Sequence, residues 1–140
     1  MFIRRAHFSD IPELLAIEDV SHEDPWGSSA FNGAMDSAFS HSRVWVTVAA
    51  GTSKILGYIC FQHILDEIYV VNLTTSPDVR RRGVASRLLG LCLLWGKRQG
   101  ARRAILDVRE GNIPARRLYE RFGFRQAGAG KGSLLLERTL

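Results

Sequence analysis

Apolar positions along the chain change period several times, and each change marks an element. The segment Phe2–Arg5 reads as a short first strand. Asp10-Ile11-Pro12-Glu13 reads as a helix start, with Asp10 as N-cap, Pro12 in the tolerant first turn and Glu13 as a capping-box glutamate. Ile11, Leu14, Leu15 and Ile17 then mark one helix face. Residues 21–27 form a loop, and Ser28 or Ser29 caps a second short helix through Phe31 and Met35. Residues 44–49 and 55–64 are strands joined by a hairpin at Gly51-Thr52-Ser53. After the polar break Asp66-Glu67, the apolar, β-branched run 68–75 continues an antiparallel meander.

The period then turns helical. Leu88, Leu91, Cys92 and Trp95 share a face of a helix that starts at Val84 and ends before Gly100. Residues 104–108 are a strand, 114–122 a helix with Gly123 as its C-cap, and 133–140 a last strand. A short strand is expected at 124–126. This order predicts one α/β (α+β) domain over residues 1–140, with no linker, repeat or low-complexity tract.

Composition adds limits. The chain is 46% hydrophobic and 24% charged, which suits a soluble globular protein. A net charge of +5, mostly from arginine, suits a polyanionic ligand or an RNA-rich neighbourhood as well as a merely solvated surface. Cys60 and Cys92 lie in apolar runs and read as buried thiols in a reduced, cytoplasmic setting. Neither a signal peptide nor a bilayer-long apolar stretch is evident. No spacing of histidine or cysteine matches a metal site.

The chemistry gathers where strand 68–75 meets the helix at Val84. Between them stand a Pro77-Asp78 turn, Arg80, Arg81 and Arg82, and Gly83. A strand that turns directly into a helix leaves the first helical N–H groups unpaired, and the helix dipole favours an anion there. Gly83 has no Cβ, so a phosphate can approach the backbone; small Ala85 and Ser86 keep the next positions open. Arg82 and Arg87 serve as rim charges or stay solvated.

This segment, Arg80-x-x-Gly83-x-Ala85, resembles the pyrophosphate loop of the GCN5-related N-acetyltransferases (GNAT), which hold acetyl-coenzyme A. A second stretch resembles the same superfamily more specifically. Asn112-Ile113-Pro114-Ala115-Arg116-Arg117-Leu118-Tyr119-Glu120-Arg121-Phe122-Gly123-Phe124 matches N-x-x-A-x-x-L-Y-x-x-x-G-F across its whole length. Leu106-Asp107-Val108-Arg109-x-x-Asn112 is similar to a segment of the RimI-type ribosomal-protein alanine N-acetyltransferases, in which a glutamate stands at the Asp107 position and serves as base. Ile17-Glu18, His22, Pro25-Trp26 and Phe31 resemble the amino half of that subfamily, and Leu65-Asp66-Glu67 its turn before the central strand.

The resemblance implies a mixed, mostly antiparallel sheet of six to seven strands flanked by about four helices. It implies acetyl-CoA as co-substrate, with its pyrophosphate on the amides of Arg81, Arg82, Gly83, Val84, Ala85 and Ser86. The pantetheine would run beside Leu73, Thr74 and Thr75, with Asn112 as a further contact or simply a helix N-cap. Tyr119 would protonate the leaving thiolate, or be a core aromatic. Asp107 would take the amine proton through a water, or pair with an arginine. The acceptor amine would enter over Glu18 and Trp26, with Glu67 attracting it or merely solvated. His22 reads as a loop-packing residue.

One departure concerns the acceptor. RimI-type enzymes carry a long tyrosine-containing loop before the last strand, whereas this chain has only Gln126-Ala127-Gly128-Ala129-Gly130-Lys131-Gly132. The expected acceptor is the N-terminus of a protein such as a ribosomal protein, with a small amine as the alternative. A non-catalytic CoA- or RNA-binding module is the rival class. Neither a membrane nor a specific nucleic acid is expected as partner, and the protein is expected to be a monomer or weak dimer.

Overall fold

The computed structural model describes residues 1–36 and 41–140. Seven strands form one sheet: β1 (Phe2–Arg5), β2 (Ser42–Val48), β3 (Ile55–Ile64), β4 (Glu67–Thr75), β5 (Arg103–Arg109), β6 (Arg125–Ala129) and β7 (Ser133–Thr139). Their spatial order is β1-β2-β3-β4-β5-β7-β6. Only β4 and β5 run parallel; the other neighbours are antiparallel. Among the described residues four α-helices complete the fold: α1 (Ile11–Ser21), α2 (Ser28–Met35), α3 (Val84–Arg98) and α4 (Ile113–Arg121). The expected element order, mixed sheet and four helices are all present.

Alternation along the strands divides the interior into two cores. Leu14, Ile17 and Phe31 from α1 and α2 pack with Val44, Val46, Tyr58 and Cys60 on one face. Leu88, Leu89, Cys92 and Leu93 from α3 and Leu118 and Tyr119 from α4 pack with Ile59, Phe61, Ile68, Leu106 and Val108 on the other. Both thiols are buried and free, as their apolar flanks predict, and burial pushes both up from their ordinary range.

Four local expectations are corrected. Asp10 holds the N-cap position of α1 as expected but does not cap it through its side chain. Its carboxylate takes a bidentate grip from Arg4, at 2.8 and 3.0 Å, and the N–H of His7 at 2.7 Å. Glu13 forms no capping box with it, because its carboxylate reaches across to the Ile55 N–H at 2.6 Å and holds the edge of β3. Gly27, not a serine, occupies the N-cap of α2, and Ser28 already lies in the first turn. The stretch 126–132 is mostly strand rather than loop. β6 extends to Ala129 with a bulge between Gln126 and Gly128, and only 130–132 turn before β7.

Gly57 sets the height at which α3 begins above the sheet. A Cβ there would lie 2.7 Å from Val84 Cγ1 and 2.8 Å from the Thr74 carbonyl oxygen. Gly57→Ala is expected to lose about 1–3 kcal/mol in urea unfolding. It is expected to weaken coenzyme binding as well, because Val84 is the first residue of α3.

Candidate active site

β4 and β5 pair from Glu67↔Arg103 to Val70↔Leu106 and no further. β4 runs on to Thr75 and β5 to Arg109, so the two strands part and leave a V between them. A register shift in the β3–β4 ladder sits at the same height. Cys60 faces Asn72 and Phe61 faces Val70, which leaves Val71 as the extra residue of a bulge. The V opens into a cleft of about 590 Å³. Its walls include Val71, Asn72 and Leu73 on one arm, Asp107, Val108 and Arg109 on the other, Asn112 and Tyr119 at the α4 end, and Glu18, His22 and Trp26 opposite.

At the end of the β4 arm the chain makes a short 3-10 turn, Pro77–Val79, and then the arginine run. Arg81 and Gly83 both take left-handed backbone angles, with φ of 68° and 79°. For Arg81, a non-glycine residue, that conformation is uncommon and tends to occur at functional loops. Gly83 is the N-cap of α3. The first backbone bond of the helix runs from the Arg87 N–H to the Gly83 carbonyl, at 3.0 Å. None of the amides of Arg80, Arg81, Arg82, Gly83, Val84, Ala85 and Ser86 has a main-chain acceptor among the described residues. A Cβ at Gly83 would meet nothing within 4 Å, so the space before these donors is open. The guanidinium groups of Arg80, Arg81, Arg82 and Arg87 have no acidic partner among the described residues. Unpaired donors, a helix N-terminus and free cations together suit a diphosphate.

Gly83→Ala tests this cradle. The methyl meets no protein atom, so the cost is left-handed strain of about 1–2 kcal/mol together with intrusion on the anion. The strain is common to free and bound protein and falls on stability; the intrusion on the anion is expected to raise the Kd for acetyl-CoA by about tenfold or more in calorimetry, about 1.4 kcal/mol.

Tyr119 is placed by the way α4 ends. The Phe124 N–H bonds to the Tyr119 carbonyl at 3.0 Å, and the Gly123 N–H to the Glu120 carbonyl at 2.9 Å. With Gly123 at φ 84°, this is a Schellman ending, whose usual apolar contact is here the edge packing of Phe124 on the Tyr119 ring at 5.7 Å. The ring is 8% exposed, yet it lines the cleft. Its hydroxyl has no partner among the described residues and is not among the sealed, unpaired polar atoms. It therefore opens onto the cleft. Burial pushes the phenol up to about 12, which keeps it protonated at neutral pH.

Asn112 caps α4, accepting the Ala115 N–H at 3.3 Å, and also lines the cleft, which leaves its amide N–H₂ available. Asp107 is exposed and lines the cleft, with no ion-pair partner among the described residues. Leu106 and Val108 point into the core shared with α3 and α4, so strand alternation puts Asp107 on the α1 side of the sheet. Leu73 belongs to the α3 side, while Thr74 is 4% exposed and faces α1. Thr75 is half-buried beside Gly57.

The structure separates the three expected acceptor residues. Trp26 lines the cleft with its ring edge on Phe31 at 5.2 Å. Glu18 also borders the cleft, but its carboxylate is 1% exposed and already taken. Oε1 accepts the Tyr58 hydroxyl and the Asn72 amide, both at 2.6 Å, and Oε2 accepts the Trp26 N–H at 2.8 Å. Glu67 does not line the cleft. Its carboxylate binds the Arg103 guanidinium, with Nε at 2.9 Å, and the Tyr69 hydroxyl. Parallel pairing with β5 brings that arginine beside it, which 36 residues of separation hid.

Sequence reasoning passed over Asn72, Tyr58 and the contacts of His22. A usable signal was present: Asn72 and Thr74 put two polar side chains on one face of an otherwise apolar strand. Among the described residues no group of three or more His, Cys, Asp or Glu could hold a metal ion, and no helix is long and apolar enough to cross a membrane.

An open helix start beside a splayed parallel pair, with a phenol lining the gap, suits an acyltransferase that takes its donor from a phosphate-bearing carrier. The sequence matches the Acetyltransferase (GNAT) family over residues 11–124, and the chain belongs to it. It is an acetyl-CoA-dependent N-acetyltransferase. It is 28% identical over 119 residues to the [Ribosomal protein bS18]-alanine N-acetyltransferase of Salmonella typhimurium, covering 85% of this chain and 77% of that protein. In fold it is similar to the ribosomal-protein-S18-alanine N-acetyltransferase of Escherichia coli, with a TM-score of 0.87, 24% identity and coverage of 99% and 92%. It is also similar to Arabidopsis thaliana NAA60 in complex with a bisubstrate analogue, with a TM-score of 0.86, 19% identity and coverage of 99% and 98%.

Proposed function

We propose that this single-domain enzyme acetylates the N-terminal amine of a protein such as a ribosomal protein, in the cytoplasm. The observation that carries this reading is the cleft itself. Its lining adds Glu23, Asp24 and Asp107 to the buried Glu18 against Arg109 as the one cation among its lining residues. A carboxylate-rich wall on a protein of net charge +5 favours a cationic amine. An α-amine, with an ordinary pKa near 7.7–8, loses its proton far more readily than a lysine.

In this reading the pyrophosphate of acetyl-CoA rests on the amides of Arg81, Arg82, Gly83, Val84, Ala85 and Ser86. The pantetheine enters the V along Leu73, Thr74 and Thr75, with the amide of Asn112 beside it. The thioester then lies between the arms, with Tyr119 on the sulfur side. The neutral amine attacks the carbonyl carbon directly, without a covalent enzyme intermediate. The C–S bond breaks, and the thiolate takes the proton of Tyr119. Two groups that line the acceptor side can take the amine proton in this reading, Asp107 through water and His22 directly. The relatives' names support the N-terminal acceptor. The short 130–132 turn removes a side-chain clamp and is the one feature that favours a small amine.

The test is an acetylation assay comparing peptides copied from ribosomal-protein N-termini with polyamines and free amino acids. The N-terminal peptides are expected to show the highest kcat/KM, and product analysis to place the acetyl group on the α-amine. Turnover of small amines alone would overturn the reading.

A further inference from the structure

The acceptor wall holds a hydrogen-bonded chain that leads from a buried carboxylate to an imidazole. With Glu18 ionised, the donors and acceptors along the chain favour one direction at each link, with the Tyr58 hydroxyl as a further neighbour of Thr74. The Glu18 carboxylate only accepts, so Asn72 must turn its amide N–H₂ toward Oε1, at 2.6 Å. That leaves the Asn72 carbonyl oxygen for Thr74, whose hydroxyl donates to it at 2.7 Å. The Thr74 hydrogen is thereby used, and its oxygen accepts from His22 Nε2, at 2.8 Å. Nε2 therefore carries the hydrogen, and the neutral ring keeps its lone pair on Nδ1. His22 is itself fixed in place: it is the C-cap of α1, its N–H bonded to the Glu18 carbonyl at 3.0 Å. Its side chain is 39% exposed and lines the same cleft as Tyr119 and Asp107. Glu18 Oε1 lies 3.4 Å from Nε2, close enough to stabilise a positive ring.

We infer that His22 accepts the proton of the acceptor amine, its tautomer set by Glu18, Asn72 and Thr74. This rests on the acetyltransferase reading of the cleft. The acceptor ammonium gives one proton to Nδ1, and the ring becomes an imidazolium. The amine nitrogen forms the new N–C bond, the C–S bond breaks, and sulfur takes the Tyr119 proton. The second amine proton, lost as the amide forms, returns to the Tyr119 oxygen through water, and the imidazolium gives its proton to solvent. The charged and titratable groups around the ring are Glu18 on its own helix, Glu23 and Asp24 in the next loop, Tyr58 on β3, and Asp107 and Arg109 across the cleft.

The test compares the unmodified enzyme, His22→Gln, His22→Ala and Asp107→Asn in kcat, KM and pH–rate profile with one peptide acceptor. Acetyl-CoA affinity and Tm are measured in parallel. The glutamine amide can still donate to Thr74, so His22→Gln keeps the chain and the fold. His22→Gln is expected to lower kcat by about 10²-fold or more. It is also expected to lose the acidic limb of the profile and to leave acetyl-CoA affinity unchanged. Added imidazole is expected to restore part of the rate to His22→Ala. A His22→Gln enzyme that keeps its kcat and its acidic limb would overturn the inference, as would transfer of both effects to Asp107→Asn. If the unmodified protein binds acetyl-CoA but acetylates no amine, the acetyltransferase reading fails instead.

Discussion

Tyr119→Phe is expected to lower kcat by about 10²–10⁴-fold, the usual worth of a positioned general acid, while the Kd for acetyl-CoA stays unchanged. The separation of the two readouts follows from the geometry. The ring is fixed by the Schellman ending of α4 and by its edge contact with Phe124, and neither involves the hydroxyl. The hydroxyl has no partner among the described residues, so its removal strands no buried group. Stability is expected to change little for the same reason. Rapid-quench measurement of acetyl transfer, beside calorimetric titration, separates chemistry from binding. A variant that keeps most of its kcat would make Tyr119 a packing residue.

The second large effect falls on stability. Glu18→Ala is expected to cost at least about 3 kcal/mol in urea unfolding, since each buried donor left unpaired costs about 1–3 kcal/mol. Three donors lose their acceptor at once: the Tyr58 hydroxyl, the Asn72 amide and the Trp26 N–H. They come from β3, β4 and the loop between α1 and α2, so one carboxylate ties that loop to the centre of the sheet. Glu18→Gln keeps an acceptor for Tyr58 and Asn72 but turns an amide N–H₂ toward the Trp26 N–H, and is expected to fall between the two. A loss below about 1 kcal/mol for Glu18→Ala would show that the network adds little to the fold.

What the sequence made legible was local. The α4 ending needs only Gly123 followed by an apolar residue, and both stand within five positions of Tyr119. The proposed anion cradle needs a strand, a turn and a glycine in sequence; Gly83 stood out for its missing Cβ, and the structure adds that it is the left-handed N-cap of α3. Long-range choices were not legible. Glu13 had a good local capping role and took the Ile55 N–H, 42 residues away. Glu67 read as an acid before the central strand, and Arg103 neutralised it from β5. Glu18 read as a cleft carboxylate, and its partners on β3 and β4 lie 40 and 54 residues along the chain. His22 read as packing for the same reason: its value comes from Thr74, 52 residues distant. Acidic side chains adapt to whichever donor folding brings near, so their roles depend on topology more than on spacing.

The central claim is that the amides around Gly83 hold a diphosphate and so set a thioester in the gap between β4 and β5. A crystal structure of the protein with coenzyme A measures this directly. The account predicts pyrophosphate oxygens within hydrogen-bond distance of the Gly83, Val84 and Ala85 amides, and the sulfur within reach of the Tyr119 hydroxyl. Diphosphate bound away from the α3 N-terminus, or sulfur outside the cleft, would contradict it.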